Sequence, residues 1–172
     1  VSTITQTIPE NAIITQFITP NSPITLSAGS TLTIQIDGNP TSTSCDLFEL
    51  AGLRVIGCCN SGNPPTCTTP LVTYSGDCDD PSDCLLSSAS QSCVSNVSGV
   101  CPTEGSSDAS CNNDIICIAT EENSWDFSFT ANTNIEFQGF EGDFWYPTDG
   151  SSAGGSGNSS SCPTTFEYTV TF

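Results

Sequence analysis

Residues 165–172 read TFEYTVTF, which is the clearest strand pattern in the chain. In an extended backbone its large apolar residues share one face and its polar residues share the other, because successive side chains point in opposite directions. The same alternation recurs in residues 31–36, 125–130 and 135–138. A turn in residues 132–134 predicts that the last two form a hairpin. The sequence therefore predicts an all-β protein whose antiparallel strands are each buried on one face.

Residues 23–36 contain two strand-like stretches separated by a turn that includes Gly29. They resemble the early strands of immunoglobulin-like sandwiches in microbial surface proteins, where a glycine-containing turn separates two such strands. We therefore expect an antiparallel β-sandwich of immunoglobulin-like or jelly-roll type over residues 21–172. A further strand pair is expected in residues 47–56, around Ala51-Gly52.

The charged side chains are almost all acidic. In 172 residues the chain carries 19 acidic side chains and one basic side chain, Arg54, which gives a formal net charge of -18. It has no lysine and no histidine. Nucleic acid and anionic membrane surfaces are excluded as partners, because their phosphates would be repelled. The longest apolar runs are also far shorter than the roughly 20 residues needed to cross a bilayer, so no membrane insertion is expected.

The eleven cysteines of the chain indicate an oxidising compartment, because cytosolic thiols are normally kept reduced. Ten of the eleven lie in the cysteine-rich region, residues 45–117, which we expect to be a loop-dominated insertion held together by disulfides. These ten are Cys45, Cys58, Cys59, Cys67, Cys78, Cys84, Cys93, Cys101, Cys111 and Cys117. Zinc is disfavoured, because the chain has neither histidine nor a Cys-x-x-Cys pair. The adjacent Cys58 and Cys59 should each bond elsewhere. The odd total and the isolation of Cys162 predict a long-range or intermolecular disulfide at that residue.

The first twenty residues contain an imperfect repeat, ITQTI at 4–8 and ITQFI at 14–18. Isoleucine and glutamine fall on one face of each copy, with threonine or phenylalanine on the other. One interpretation is a pair of ordinary edge strands. The other is an extended arm, residues 1–20, that adds a strand to a neighbouring copy. Residues available for docking are Ile4, Ile8, Ile14, Phe17 and Ile18.

Two kinds of ligand or modification site are suggested by short patterns. Four carboxylates cluster around Cys78 and could hold calcium, although a solvated acidic turn is the simpler interpretation. They are Asp77, Asp79, Asp80 and Asp83. The triplets beginning at Asn96 and Asn158 fit N-glycosylation. No cofactor is required by any pattern in the chain.

A chain without histidine or lysine offers few side chains that could act as catalytic bases or nucleophiles. A glycosidase could use Glu136 with Glu141 or Asp143, beside the aromatic run in residues 144–146. No complete catalytic motif is present, and we expect that the protein is not an enzyme. The same aromatic and acidic residues could instead bind a glycan, with or without calcium. Tyr146 and Trp145 are equally interpretable as core residues.

The chain resembles subunits of disulfide-linked archaeal sheaths, such as the tubular sheath of methanogens. The resemblance rests on the N-terminal repeat and following strands (residues 1–36), on the cysteine content and on the acidic, lysine-free composition. The chain is also similar to strand-donating archaeal pili and threads. The resemblance implies a secreted, β-rich cell-envelope subunit that is repeated in hoops, tubes or filaments, with no catalytic residues to carry over. We therefore expect a self-assembling structural subunit of an extracellular cell-surface sheath, tube or filament, polymerising by β-strand addition and stabilised by disulfides within and between copies. The alternative is a secreted carbohydrate-binding or adhesin domain.

Overall fold

The described strands form two antiparallel sheets that face each other as a sandwich. The computed structural model describes residues 3–39, 41–42, 45, 49–59, 70–75, 86–89, 92–100, 124–148 and 159–172. Its strands are β1 Thr3–Pro9, β2 Ile13–Ile18, β3 Ile24–Leu26, β4 Thr31–Asn39, β5 Glu49–Cys59, β6 Val72–Ser75, β7 Leu86–Ala89, β8 Val94–Val100, β9 Ser124–Ala131, β10 Ile135–Trp145 and β11 Thr165–Thr171. Within these ranges there is no helix, so the all-β, antiparallel prediction is confirmed.

The first sheet has the strand order β1-β11-β4-β9-β8 and the second has the order β2-β10-β5-β6-β7. The short strand β3 also pairs with β10, beyond the end of β2. The strands β5 to β8 all lie between the first and last cysteines of the cysteine-rich region. Most described residues of that region belong to the two sheets, and its other residues, on which the prediction of a loop-dominated insertion rests, lie outside the described ranges.

The core lies between the two sheets and is lined by the alternating residues of each strand. In β4, Leu32, Ile34 and Ile36 are buried, as the sequence predicts. In β11 and the residue after it, the buried side chains are Phe166, Tyr168, Val170 and Phe172. From the second sheet, β10 contributes Ile135, Phe137, Phe140 and Phe144.

Two sequence-based predictions about strand pairing are wrong. The first is the hairpin of β9 and β10, which lie in different sheets, so that Phe129 and Phe137 approach the core from opposite sides. The second is a strand pair around Ala51-Gly52, where the chain forms the single strand β5. Gly52 pairs with Asp143 and Leu50 with Phe144, which leaves Ala51 as an extra residue, a β-bulge.

Two disulfides are described in full, and both join parts of the chain that are distant in sequence. Cys59, at the end of β5, is bonded to Cys93, just before β8, so this bond links the two sheets. Cys162, before β11, is bonded to Cys45 across 117 positions of sequence. Cys58 is disulfide-bonded as well.

These bonds decide two predictions from the sequence. Cys58 and Cys59 do not bond to each other, as predicted. The long-range bond predicted for Cys162 is present, but the intermolecular alternative is wrong, because the sulfur is already bonded to Cys45 of the same chain.

The Cys45–Cys162 bond can be tested with the single arginine. Trypsin cleaves after Arg54, and the fragment before this site contains one cysteine, Cys45. After unfolding and thiol alkylation, we expect that cleaved wild-type protein stays at 17.9 kDa on a non-reducing gel. The Cys162→Ser variant should release residues 1–54. It should also lose about 2–5 kcal/mol of unfolding free energy, because its unfolded chain is less restricted.

The neighbouring exposed residue Ser161 provides the control. Ser161→Ala should retain the fragment and the wild-type stability. Release of residues 1–54 from cleaved, non-reduced wild-type protein would contradict the Cys45–Cys162 bond.

Candidate assembly site: the N-terminal strand pair

The N-terminal strands β1 and β2 lie at equivalent edges of the two sheets. β1 pairs with β11 along its whole length, from Thr3 opposite Thr171 to Pro9 opposite Thr165. β2 pairs with β10, from Ile13 opposite Trp145 to Ile18 opposite Phe140. In the strand order of the described residues, each has one sheet neighbour. The repeat found in the sequence therefore corresponds to one edge strand for each sheet.

The inward faces of β1 and β2 complete the core. Ile8 is 0% exposed and Ile18 is 1% exposed, while Ile4 and Ile14 are half-buried and pack against the same core. Phe17 lies on the outward face, where 53% of it is exposed. The strands thus fold back on their own domain, as the edge-strand interpretation predicts. Within this chain, residues 3–18 are not an arm that extends away from it.

Gln16 links the two edges across the open side of the sandwich. Its Nε2 donates to the carbonyl oxygen of Thr7 in β1 at 2.8 Å. Its Oε1 accepts a hydrogen bond from the hydroxyl of Tyr168 in β11. Burial raises the pKa of Tyr168, so its phenol stays protonated and acts as the donor at neutral pH. The place of glutamine on the isoleucine face of the repeat was the sequence signal for this contact.

The turn between β1 and β2 is tied to the segments that flank β10 and β11. Asn11 adopts a left-handed backbone conformation, with φ of 56°. Its backbone N–H donates to the carbonyl oxygen of Tyr146 at 2.9 Å. Thr148, which is 3% exposed, receives a hydrogen bond from Asn11 Nδ2 and donates one to Glu10 Oε2 at 2.6 Å. Burial, and secondarily the nearby Glu10 carboxylate, raise the pKa of Tyr146. Sequence reasoning missed this polar cluster.

A short exposed segment connects the strand pair to the rest of the domain. Residues 19–23 follow β2, include two prolines, and are exposed except for the half-buried Pro20. β3 then continues along β10 in the same direction as β2. Because a residue before proline disfavours the helical backbone, Thr19 and Ser22 are both biased against helix formation. We refer to residues 19–23 as the hinge.

Gly139 allows β2 to approach β10 closely at the end of the strand. Its φ of +138° lies in a region that other residues rarely adopt. A Cβ atom at this position would lie 2.3 Å from the carbonyl oxygen of Ile18, which is shorter than any ordinary contact. Docking of the end of β2 therefore depends on the absence of a side chain at residue 139.

An ion-pair network on the outer face of the second sheet holds the middle of β2. The Nη1 and Nη2 groups of Arg54 donate to the two oxygens of Asp143 at 2.8 and 3.0 Å, and its Nε donates to Glu141 at 3.0 Å. The hydroxyl of Thr15 in β2 also donates to Asp143, at 2.6 Å. The hydrogen bond from Arg54 lowers the pKa of Asp143, and that from Thr15 lowers it further against the effect of burial. The same carboxylates raise the pKa of Arg54.

The other candidate residues are distributed as follows. Asn96 is exposed and has a positive φ of 49°. Asn158, the calcium candidates Asp77, Asp79, Asp80 and Asp83, and the cysteines Cys67, Cys78, Cys84, Cys101, Cys111 and Cys117 lie outside the described residues. The described ranges contain no group of three or more side chains that could hold a metal ion.

The aromatic run is divided between the core and the outer face. Phe144 is 0% exposed and Tyr146 is 1% exposed, whereas Trp145 is half-buried. Trp145 lies on the same strand face as Glu141 and Asp143, and Glu136 is exposed near the start of the strand. Glu141 and Asp143 are both engaged by Arg54.

No protein-family model, curated protein or solved structure matches this chain. Among the described residues, none belongs to a helix long and apolar enough to cross a membrane.

Replacing Gly139 by alanine should undock β2. The unusual φ alone should cost about 1–3 kcal/mol, and the contact with the Ile18 carbonyl should add to that cost. We expect that Gly139→Ala accelerates amide hydrogen exchange in residues 13–18 more than in β4.

Gly29→Ala is the matched control, because Gly29 also has a positive φ, +86°, but its Cβ would meet nothing within 4 Å. It should destabilise the protein without selective exchange in β2. Equal exchange profiles for the two variants would contradict the role assigned to Gly139.

The lowered pKa of Asp143 makes the Arg54 network sensitive to acid. Its stabilising effect is fully present above the ordinary carboxyl pKa of 3.8 and is lost as the pH falls through the lowered pKa. In urea unfolding, Asp143→Asn should therefore be less stable than wild type at about pH 6, and this difference should shrink towards about pH 2. Glu136→Gln, an exposed change on the same strand, is the control. A pH-independent difference for Asp143→Asn would contradict the prediction.

Proposed function

We propose that this protein is a self-assembling structural subunit of a secreted, extracellular sheath, tube or filament, in which β1 and β2 of one copy dock on β11 and β10 of the next. The observation that carries the proposal is the placement of the two strands. They occupy one edge of each sheet, bury Ile8 and Ile18 completely, and are joined to the rest of the domain by the exposed hinge.

Exchange between copies requires no new interface. Each backbone hydrogen bond and each buried isoleucine contact made within one chain can be made identically between two chains, which is why strand exchange is a low-cost route to assembly. The five residues of the hinge, fully extended, bridge roughly 17 Å between the donating and the receiving domain. In the proposed polymer the hinge extends, and the strand pair keeps its register on the receiving domain.

Any interface between copies must overcome electrostatic repulsion. At a formal charge of -18, two copies repel each other unless salt, protons or divalent cations screen them. A docked strand offsets this repulsion with backbone hydrogen bonds and apolar burial. The Cys45–Cys162 and Cys59–Cys93 bonds support the proposal by stiffening the domain that receives the strand.

In the proposed polymer, covalent links between copies must use cysteines other than Cys162. The five described cysteines are all disulfide-bonded. Because the total of eleven is odd, at least one cysteine has no partner within the chain. That residue is one of the six outside the described ranges, and we place the proposed intermolecular bond there.

The finer fold type and the location belong to the same proposal. An immunoglobulin-like sandwich is supported by the N-terminal strands, which cross from one sheet to the other, and by the Cys59–Cys93 bond between the sheets. Secretion is supported by the disulfides. An archaeal cell envelope is the setting that the sequence resemblance implies.

Strand exchange can be tested with two variants that each add one cysteine to the chain. Thr3 and Thr171 are directly opposite in β1 and β11, with their hydroxyl oxygens 3.3 Å apart. We expect that a mixture of the Thr3→Cys chain and the Thr171→Cys chain, co-assembled and then oxidised, forms a disulfide between the two chains. Mass spectrometry of the linked peptides identifies the bond.

Three control samples are needed to interpret the result of this experiment. Each variant alone should give no bond at these positions, and a chain carrying both changes confirms that the geometry permits one. A bond in the double variant with none in the co-assembled mixture would show that β1 stays on its own domain, and strand exchange would be wrong.

A further inference from the structure

The outer face of the second sheet contains a shallow depression of about 250 Å³. It is lined by Phe17, Arg54, Ile56, Pro70 and Glu141. Strand register explains its position, because Phe17 of β2 is opposite Glu141 of β10, which is opposite Arg54 of β5. Three neighbouring strands thus contribute one side chain each to a single row across the sheet.

The polar side of the depression retains hydrogen-bonding capacity. A guanidinium has five N–H groups, and Arg54 uses three of them on Asp143 and Glu141. The other two, and the Oε1 atom of Glu141, have no partner among the described residues. The side chains of Arg54 and Glu141 are 31% and 41% exposed. The depression therefore presents donors and an acceptor side by side, held in place by the ion pairs.

The remaining walls are apolar and accessible. Phe17 is 53% exposed, Pro70 is exposed and Ile56 is half-buried. Phe17 and Ile13 are the large apolar side chains exposed among the described residues, and both lie on the outer face of β2. An exposed aromatic ring beside a fixed group of donors and acceptors is the composition of a small-molecule site.

We propose that this depression binds a neutral saccharide through one pyranose ring. The C–H face of the ring packs on Phe17. Adjacent hydroxyl groups accept from Arg54 and donate to Glu141. The overall charge of -18 opposes anionic ligands, and Arg54, which is already paired with Asp143 and Glu141, offers no uncompensated charge to a charged ligand. A neutral ligand with vicinal hydroxyls satisfies both the polar and the apolar side.

This site goes beyond the proposed assembly and does not depend on it, because all five lining residues are present in a single folded chain. Where β2 is supplied by another copy, Phe17 comes with it, and the saccharide then lies at the junction of two subunits. Saccharide binding would in that case favour the docked strand.

The test uses saturation-transfer NMR of the single chain with methyl glycosides of glucose, galactose, mannose and N-acetylglucosamine as probes. We expect saturation transfer to at least one glycoside. Phe17→Thr should weaken that binding at least tenfold with unchanged thermal unfolding. Ile13→Thr, an equally exposed change on the same strand but outside the lining, should retain it.

Glu141→Gln provides a second variant, because it keeps the size of the side chain and removes its charge. It should also weaken binding at least tenfold. Absence of transfer to all four glycosides, or equal affinity in Phe17→Thr, Glu141→Gln and wild type, would overturn the saccharide site. Since these measurements use unassembled chains, they leave the strand-exchange result independent.

Discussion

The packing of β10 against β11 through aromatic rings is the interaction on which the rest of this structure depends. Phe144 contacts Tyr168 with ring centroids 4.7 Å apart, Tyr146 contacts Phe166 at 5.0 Å, and Phe137 contacts Phe172 at 5.3 Å. Such tilted pairs add about 0.5–1.5 kcal/mol each beyond the area that they bury. Because β10 pairs with β2, β3 and β5, and β11 pairs with β1 and β4, this aromatic layer links the two sheets through strands that together pair with five others.

The same layer is consistent with the proposed exchange of the well-packed N-terminal strands. Their isoleucines cover one side of a core whose buried aromatic rings, among the described residues, all come from residues after 124. Each strand is held along one edge, and the polar contacts of Gln16, Asn11 and Thr15 fix its register. In the proposed assembly, the same strand pair makes these contacts on the identical surface of another copy.

The two faces of β2 differ in polarity. Its inner face is apolar and belongs to the core, whereas its outer face lies beside the single cation of the chain. Arg54 is surrounded by two carboxylates and is therefore neutralised locally, while the remaining acidic residues keep the net charge strongly negative. The combination leaves one small area in which an apolar ring, a cation and an anion are adjacent. Both the proposed assembly and the proposed saccharide site depend on this strand.

The sequence by itself determined the strand faces and the β class. Alternation identified the buried side of β4, β11 and the N-terminal repeat, because side-chain direction in a strand is a local property of the backbone. It also predicted that Cys58 and Cys59 each bond elsewhere, and Cys59 is bonded to Cys93. The tertiary structure alone decided which strands are neighbours: it separated β9 from β10, made Ala51 a bulge, and joined Cys162 to Cys45. It likewise brought Phe17, Arg54 and Glu141 together from three distant segments. Pairing depends on contacts between residues far apart in the chain, and a pattern with a period of two residues contains no information about them.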